Sequence, residues 1–312
     1  MTVRLPFDLP RLGIGTAPLG GLFEEVSEAD AVAVLEAAAR EGITYFDTAP
    51  RYGHGQAEDR LGRLLAPAGV TAPLISTKTG WLLRPNPDGS PGEVVTDWTE
   101  AGIRASLESS LDRLGRSSVD VLYLHDPDAF PDEVRRTAYP ALRRLRDEGL
   151  VRAIGFGMNN SAPLAAYVAE FDVDVVLVAG RFSLLDHDAL GTLLPLCLRT
   201  GTSVVVGGVF NTGLLADPSP GAMFNYRPVP ERDLARARRC RDLCAEYGVP
   251  LAAAAVQFPF LHPAVASVVV GCRSAAEVTA NAAASRFRVP DALWRRLGEA
   301  GFVPPELVPA GE

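Results

Sequence analysis

The sequence predicts an α/β fold of one class: a closed (β/α)8 barrel of the TIM type, as a single domain over residues 1–312. Three observations carry that expectation. Short β-type runs alternate strictly with helical patterns, which calls for parallel strands covered by helices. Eight strand candidates occur, each followed by helix, and eight such units fit a closed barrel better than an open sheet. No Gly-x-Gly-x-x-Gly follows the first strand candidate, because Gly13-x-Gly15 leads to no third glycine in register. A doubly wound open sheet thus loses its main sequence signature.

The elements follow in order. Residues 11–16 (RLGIGT) are a short, apolar, glycine-bounded run, and 28–40 is an amphipathic helix with Ser27 as N-cap. Residues 43–48 (ITYFDT) are β-branched and aromatic, 57–65 is helical and 73–77 (PLIST) is a strand. In 97–114 the apolar residues Ile103, Leu107, Leu111 and Leu114 fall at helical spacing. Strand 119–124 (VDVLYL) precedes a helix over 131–148, which stops before Gly149. Strand 151–156, helix 162–170, strand 174–178, helix 189–199 and strand 202–206 continue the alternation. Residues 207–230 bear glycine and proline and are too long for an ordinary βα loop, so a functional role is expected there. Helices 231–247 and 251–260, strand 266–270 and helices 275–285 and 290–300 complete the chain.

Composition narrows the function. A hydrophobic content of 47% over 312 residues supports a large core, and 22% charged residues argue against disorder. The net charge of −8 gives no support for nucleic-acid binding. Cys197, Cys240, Cys244 and Cys272 form no C-x-x-C pair and no zinc spacing, so Cys240 and Cys244 read as small packing residues. With no disulfide framework, no apolar leader segment at the N-terminus and no run near ~18 apolar residues, a cytoplasmic protein that does not span a membrane is expected.

In a barrel the reactive residues gather at the C-terminal ends of the strands. The second strand leads into Asp47-Thr48-Ala49-Pro50-Arg51-Tyr52, the third into Thr77-Lys78-Thr79, and the fourth into His125-Asp126-Pro127-Asp128. An acid, a phenol, an amine and an imidazole are therefore delivered to one face. A free phenol has a pKa near ~10, too high for easy proton exchange at neutral pH, and an adjacent ammonium lowers it. Asp47 would hold Lys78 charged and oriented. His125 would position the reacting oxygen, and Tyr52 would give or take the proton. No side chain supplies a hydride, so a nicotinamide cofactor is implied.

The run F-D-T-A-x-x-Y-G, the strand-end T-K-T and L-H-x-x-D together resemble the aldo-keto reductase family. The opening Gly13-Ile14-Gly15-Thr16, the helix E-x-x-L-G-x-x-L beginning at Glu58 and the LESSLDRLG run beginning at Leu107 are also similar. The resemblance implies that Asp47, Tyr52, Lys78 and His125 are the catalytic set, with NADP or NAD as cofactor. The runs I-G-F-G-M-N from Ile154, V-A-G-R-F-S-L-L-D from Val178 and G-G-V-F-N-T-G-L-L from Gly207 resemble the branch acting on sugars: aldose, L-fucose and D-galactose dehydrogenases, with pyridoxal dehydrogenase nearby. A small carbonyl or sugar substrate is implied.

The resemblance also places cofactor contacts. Asn159 stands where many relatives carry a Ser-Asn pair against the nicotinamide, and Ala179 replaces a Gln. Gly207, Phe210, Asn211, Gly213 and Leu214 match the loop that wraps the pyrophosphate, offering backbone N–H groups. Gly271, Arg273 and Ser274 precede a helix containing Asn281, a place suited to phosphate and adenine. Lys-Ser at 271–272 and an Arg at 277 are absent here, which leaves both NAD and NADP open. Trp81, His54 and Asp126 are candidates for the substrate wall, while Trp98, Trp294, His187 and His262 read as packing or surface positions. Two other classes compete: a metal-dependent barrel hydrolase using His54, His125, Asp126 and Asp128, and a nicotinamide-binding subunit without turnover. No H-x-H pair ends the first strand, so no metal is expected.

Overall fold

The computed structural model describes residues 5–310 apart from Phe23, Pro85, Gly89 and Pro91. Residues 1–4, on which the expectation about a leader segment begins, lie outside the described residues. Eight parallel strands close into a barrel: β1 (Leu12–Gly15), β2 (Tyr45–Asp47), β3 (Leu74–Thr79), β4 (Val119–His125), β5 (Val151–Met158), β6 (Val175–Ala179), β7 (Ser203–Gly207) and β8 (Val265–Gly271). Closure comes from β1 pairing with β8, Leu12 opposite Val268 and Ile14 opposite Val270. Among the described residues no helix is long and apolar enough to cross a membrane.

Because side chains alternate along a strand, one set points into the lumen and the other toward the helices. The lumen is filled by Tyr45, Val121, Tyr123, Ala153, Val175, Leu177, Val205 and Val269, with Leu5, Phe7 and Leu9 packed beneath. The outer set meets the apolar faces of helices such as Glu28–Arg40, where Ser27 accepts the N–H of Asp30 as the expected cap. One face of the lumen core is therefore left to carry polar groups, at the C-terminal ends of the strands.

The family-like motifs have steric causes. Glu58 is fully buried; Thr77 Oγ1 donates to it at 2.5 Å and Arg113 Nε at 2.8 Å, tying the helix after β2 to β3 and to helix Glu100–Leu114. Gly62 faces that helix so closely that a Cβ would sit 2.3 Å from the Arg113 carbonyl oxygen. Gly13 lies against Tyr45, with 2.4 Å between a would-be Cβ and the ring.

Three expectations are corrected. β3 runs on to Thr79, so Lys78 lies inside the strand rather than beyond it. The 97–114 helix starts later than expected: residues 97–99 follow a hairpin of Trp81–Arg84 and Glu93–Thr96, Asp97 accepts the Thr99 N–H at 3.0 Å and Thr99 caps helix Glu100–Leu114. The 131–148 helix contains a π-helical turn, Val134–Ala138, ahead of Pro140, which has no N–H to return to the preceding turn. His262, read as a surface or helix-cap position, is the C-cap of the short helix Phe258–Leu261; it is buried there, and its Nδ1 accepts the Ala264 N–H at 3.2 Å.

If the Gly13–Tyr45 contact holds β1 and β2 as described, Gly13→Ala overpacks the lumen. It should cost about 1–3 kcal/mol, read as a lower Tm than wild type; an unchanged Tm would show that the contact relaxes freely.

Candidate functional site

The register sets the site. Asp47 lies opposite Ser76, Lys78 opposite Tyr123 and His125 opposite Gly157. Lys78 Nζ donates to Asp47 Oδ2 at 2.7 Å, to the Thr48 carbonyl at 2.8 Å and to Tyr52 Oη at 3.1 Å. All three ammonium protons are thereby directed. The other Asp47 oxygen accepts Ser76 Oγ at 2.7 Å, and Ser76 in turn meets Tyr45 Oη at 3.0 Å. Lys78 and Asp47 are 2% and 3% exposed, so both charges are sequestered from water. Tyr52 packs edge-on to His125, ring centroids 6.1 Å apart.

Electrostatics divides these groups. Burial alone pulls the Lys78 ammonium's pKa down, but the Asp47 carboxylate and the Tyr52 phenol outweigh it, and the net shift is upward. Burial pushes the Tyr52 phenol up; the Lys78 charge opposes that without cancelling it, and Asp47 adds to the rise. The expected depression of the phenol by Lys78 is present, yet burial exceeds it. His125 is held well below the ordinary histidine range by burial, then by the Lys78 and Arg51 charges, so its ring is neutral. Its Nδ1 is buried with no partner among the described residues, while Nε2 lies 3.8 Å from Asp126 Oδ2. A buried N–H without an acceptor is rarer than a buried acceptor without a donor, which favours the tautomer carrying its proton on Nε2.

These groups line a cavity of about 450 Å³, within the range of small-molecule sites. Tyr52, Lys78 and His125 share it with the sequence candidates His54, Asp126 and Asn159. Gly157 and Ala179 keep its floor low; a Cβ on Gly157 would stand 3.6 Å from Lys78 Cε. Trp81 is not among the lining residues: its indole N–H donates to the His125 carbonyl at 2.8 Å and Arg51 stacks on its ring at 4.1 Å. Trp81 therefore backs the wall rather than forming it. Sequence reasoning missed Arg51, Leu22 and Tyr226, which also line the cavity.

The candidates for holding a cofactor's phosphates are not among the residues that line the cavity. Gly207 ends β7, and Phe210, Asn211, Gly213 and Leu214 follow. Asn211 is engaged within its own loop and with the connection after β6: its N–H donates to the Gly208 carbonyl at 2.9 Å, Oδ1 accepts Ser183 Oγ at 2.6 Å and Nδ2 donates to Asn225 at 3.0 Å. Leu214 is fully buried. Gly271 ends β8; Ser274 caps the next helix by accepting the Glu277 N–H, and Asn281 donates to Cys272 Sγ at 3.4 Å. The Arg273 guanidinium is shared between Glu24 and Glu277, the latter at 3.0 Å. Among the described residues no group of three or more His, Cys, Asp or Glu is arranged to hold a metal ion. Low-relief floor, neutral imidazole and a phenol beside a fixed cation fit a nicotinamide and a small carbonyl compound.

The strand ends of a parallel (β/α)8 barrel thus carry a phenol hydrogen-bonded to a buried ammonium. Comparison with known proteins gives the family. The Aldo/keto reductase family matches residues 11–301. D-threo-aldose 1-dehydrogenase of Pseudomonas sp. is 42% identical over 95% of both chains. Pyridoxal 4-dehydrogenase of Microbacterium luteolum is 38% identical over 96% of both. An aldo-keto reductase of Bacillus halodurans, solved in its holo form, superposes with a TM-score of 0.75 at 25% identity, over 96% of this chain and 93% of its own. The chain belongs to the aldo/keto reductase family, and it is an NAD(P)-dependent oxidoreductase.

Lys78→Met tests the electrostatic arrangement without reference to substrate. It leaves the Asp47 carboxylate buried without its counter-charge, at an expected cost of about 3–5 kcal/mol, measured by thermal or denaturant unfolding. It also removes the charge opposing the Tyr52 shift, so tyrosinate absorbance should appear at higher pH than in wild type. A titration that does not move would show that Lys78 and Tyr52 are not coupled.

Proposed function

We propose that this enzyme transfers a hydride between its nicotinamide cofactor and the anomeric carbon of a sugar hemiacetal, or the carbonyl carbon of an aldehyde or ketone, with Tyr52 as general acid and base. The observation that carries the reading is the 3.1 Å hydrogen bond from Lys78 Nζ to Tyr52 Oη, made by an ammonium that Asp47 fixes at 2.7 Å. The similarity to an aldose dehydrogenase and a pyridoxal dehydrogenase over nearly the whole chain supports the substrate class. All the groups sit on one barrel domain, and the four free, buried cysteines suit a cytoplasmic setting.

The bound cofactor supplies or accepts the hydride. The chain's own residues handle the proton and the position of the reacting oxygen. His125, neutral and protonated on Nε2, donates a hydrogen bond to that oxygen and orients the carbon. Tyr52 Oη shares the same oxygen: in reduction it delivers its proton there, and in oxidation it removes the hydroxyl proton. Lys78 stabilises the phenolate left after delivery, and Asp47 keeps Lys78 charged while that happens. Asn159, Gly207, Phe210, Gly213 and Leu214 after β5 and β7, and Gly271, Arg273, Ser274 and Asn281 after β8, are the proposed surroundings of the cofactor. His54 and Asp126 belong on the substrate side.

Tyr52→Phe should lower turnover by about 10²–10⁴-fold, while cofactor affinity, read by fluorescence quenching, stays near wild type. Full activity in that variant would remove Tyr52 from the proton path. The direction of its pKa shift fixes the pH dependence. A phenol raised by burial keeps its proton at neutral pH. Carbonyl reduction therefore declines as pH rises through the phenol's pKa, and hydroxyl oxidation increases over the same interval. Opposite trends in the two directions, followed by NAD(P)H absorbance, are expected; parallel trends would point to another group. A screen of aldoses, pyridoxal and small aldehydes with NAD and NADP separately should give NAD(P)H formation with an aldose.

A further inference from the structure

The long connection after β7 is ordered by a specific set of contacts. Met223–Phe224 pairs antiparallel with Arg227–Pro228, and Asn225 and Tyr226 form the turn between them at φ +47° and +67°. Two consecutive left-handed residues make the tight hairpin turn that glycine and asparagine ordinarily supply. A tyrosine in the left-handed region costs about 1–3 kcal/mol and persists only where its surroundings over-determine it. Those surroundings are visible. Ser183, fully buried after β6, donates to Asn211, and Asn211, 1% exposed, donates to Asn225 Oδ1. Thr212 Oγ1 accepts the Tyr226 N–H at 3.0 Å, and Gly213 bridges to Met223. A chain of side chains thus runs from the barrel wall to the turn.

What the chain holds in place is the Tyr226 side chain. It lines the cavity that contains Tyr52, Lys78, His125 and Asp126, and it stays 57% exposed at the rim. The Asp126 carboxylate is close enough to act on its phenol electrostatically, so an aromatic ring and an acid stand together at the mouth. A strained aromatic residue braced through the buried Asn211 amide and the half-buried Asn225, opening on the reacting groups, is costly as mere loop filling.

We propose that Tyr226 is a specificity residue for cyclic polyhydroxylated substrates: its ring covers the C–H face of a sugar while Asp126 accepts sugar hydroxyls. Ser183, Asn211 and Asn225 are positioning residues that act through it. The inference rests on reading the cavity as the site of hydride transfer to or from a sugar. A small aldehyde occupies only the floor beside Tyr52 and His125 and gains less from the rim.

The test compares wild type, Tyr226→Ala, Tyr226→Phe and Asn225→Gly. Glycine keeps the left-handed turn and deletes the amide anchor. Kinetics with L-fucose and with glycolaldehyde are read beside cofactor affinity by fluorescence. Tyr226→Ala should raise the L-fucose KM about tenfold, with the loss falling on KM rather than kcat and a smaller rise for glycolaldehyde. Tyr226→Phe, which keeps the ring, should recover most of the affinity. Asn225→Gly should shift the same parameter part of the way. A wild-type L-fucose KM in Tyr226→Ala overturns the inference, as does a cofactor Kd that rises in step with KM, which would make the hairpin a cofactor strap. If wild type neither binds nor oxidises aldoses, the sugar reading of the site falls and the inference falls with it. Sugar oxidation with an unmoved Tyr226→Ala sinks the inference alone.

Discussion

The contact between Lys78 and Asp47 is the constraint around which the polar end of the barrel is built. Two opposite charges meet at 2.7 Å with almost no solvent. Such pairs are poor stabilisers, because desolvation offsets most of the attraction, and apolar replacements of similar volume are often neutral or better. Retention of both charges therefore needs a reason other than stability. Lys78 has its remaining protons on the Thr48 carbonyl and Tyr52 Oη, and Asp47 has its second oxygen on Ser76. Every link fixes the direction of the ammonium toward the phenol. Even the lumen below takes part: Tyr45 reaches Ser76 with its hydroxyl, and Gly13 gives its ring room.

One cation then lowers the pKa of two neighbours, with different consequences. The Lys78 charge counters the rise that burial forces on Tyr52, and it adds to the fall that burial forces on His125. The phenol is brought nearer to the pH at which it can exchange a proton, while the imidazole is kept from taking one. In the proposed reaction the imidazole is a hydrogen-bond donor and the phenol is the proton carrier. That division arises from burial of both rings beside the same ammonium, with Arg51 adding to the fall at His125 and Asp47 to the rise at Tyr52.

Much of this was legible in the sequence, because strand ends are local features. Asp47 lies in a β-type run, Lys78 and His125 directly follow two others, and Tyr52 follows Asp47 by a short turn, so the strand ends bring all four to one face. The hairpin of Trp81–Arg84 and Glu93–Thr96 was not legible: its intervening residues are rich in proline and glycine, and Asp97 looked like a helix start. Tyr226 escaped for a different reason. Its hairpin turn is Asn-Tyr in place of the Asn-Gly that announces such turns, and what holds it lies distant in the chain, at Ser183 and Asn211. Arg51 likewise shows its place only once Trp81 is seen beneath it. Long-range bracing leaves no periodicity to read.

The two kinds of placement have different freedom to change. The groups proposed for proton transfer stand on strands or one turn beyond them, and moving any of them alters the register of a closed sheet. The rim is set by a connection that crosses no strand, so its turn residue can be exchanged at the cost of local strain alone. In the proposed reaction the floor moves hydride and proton, and the mouth decides which ring enters. On the proposed reading the strain at Tyr226 is the local cost of that decision, kept apart from the strand network so that neither compromises the other.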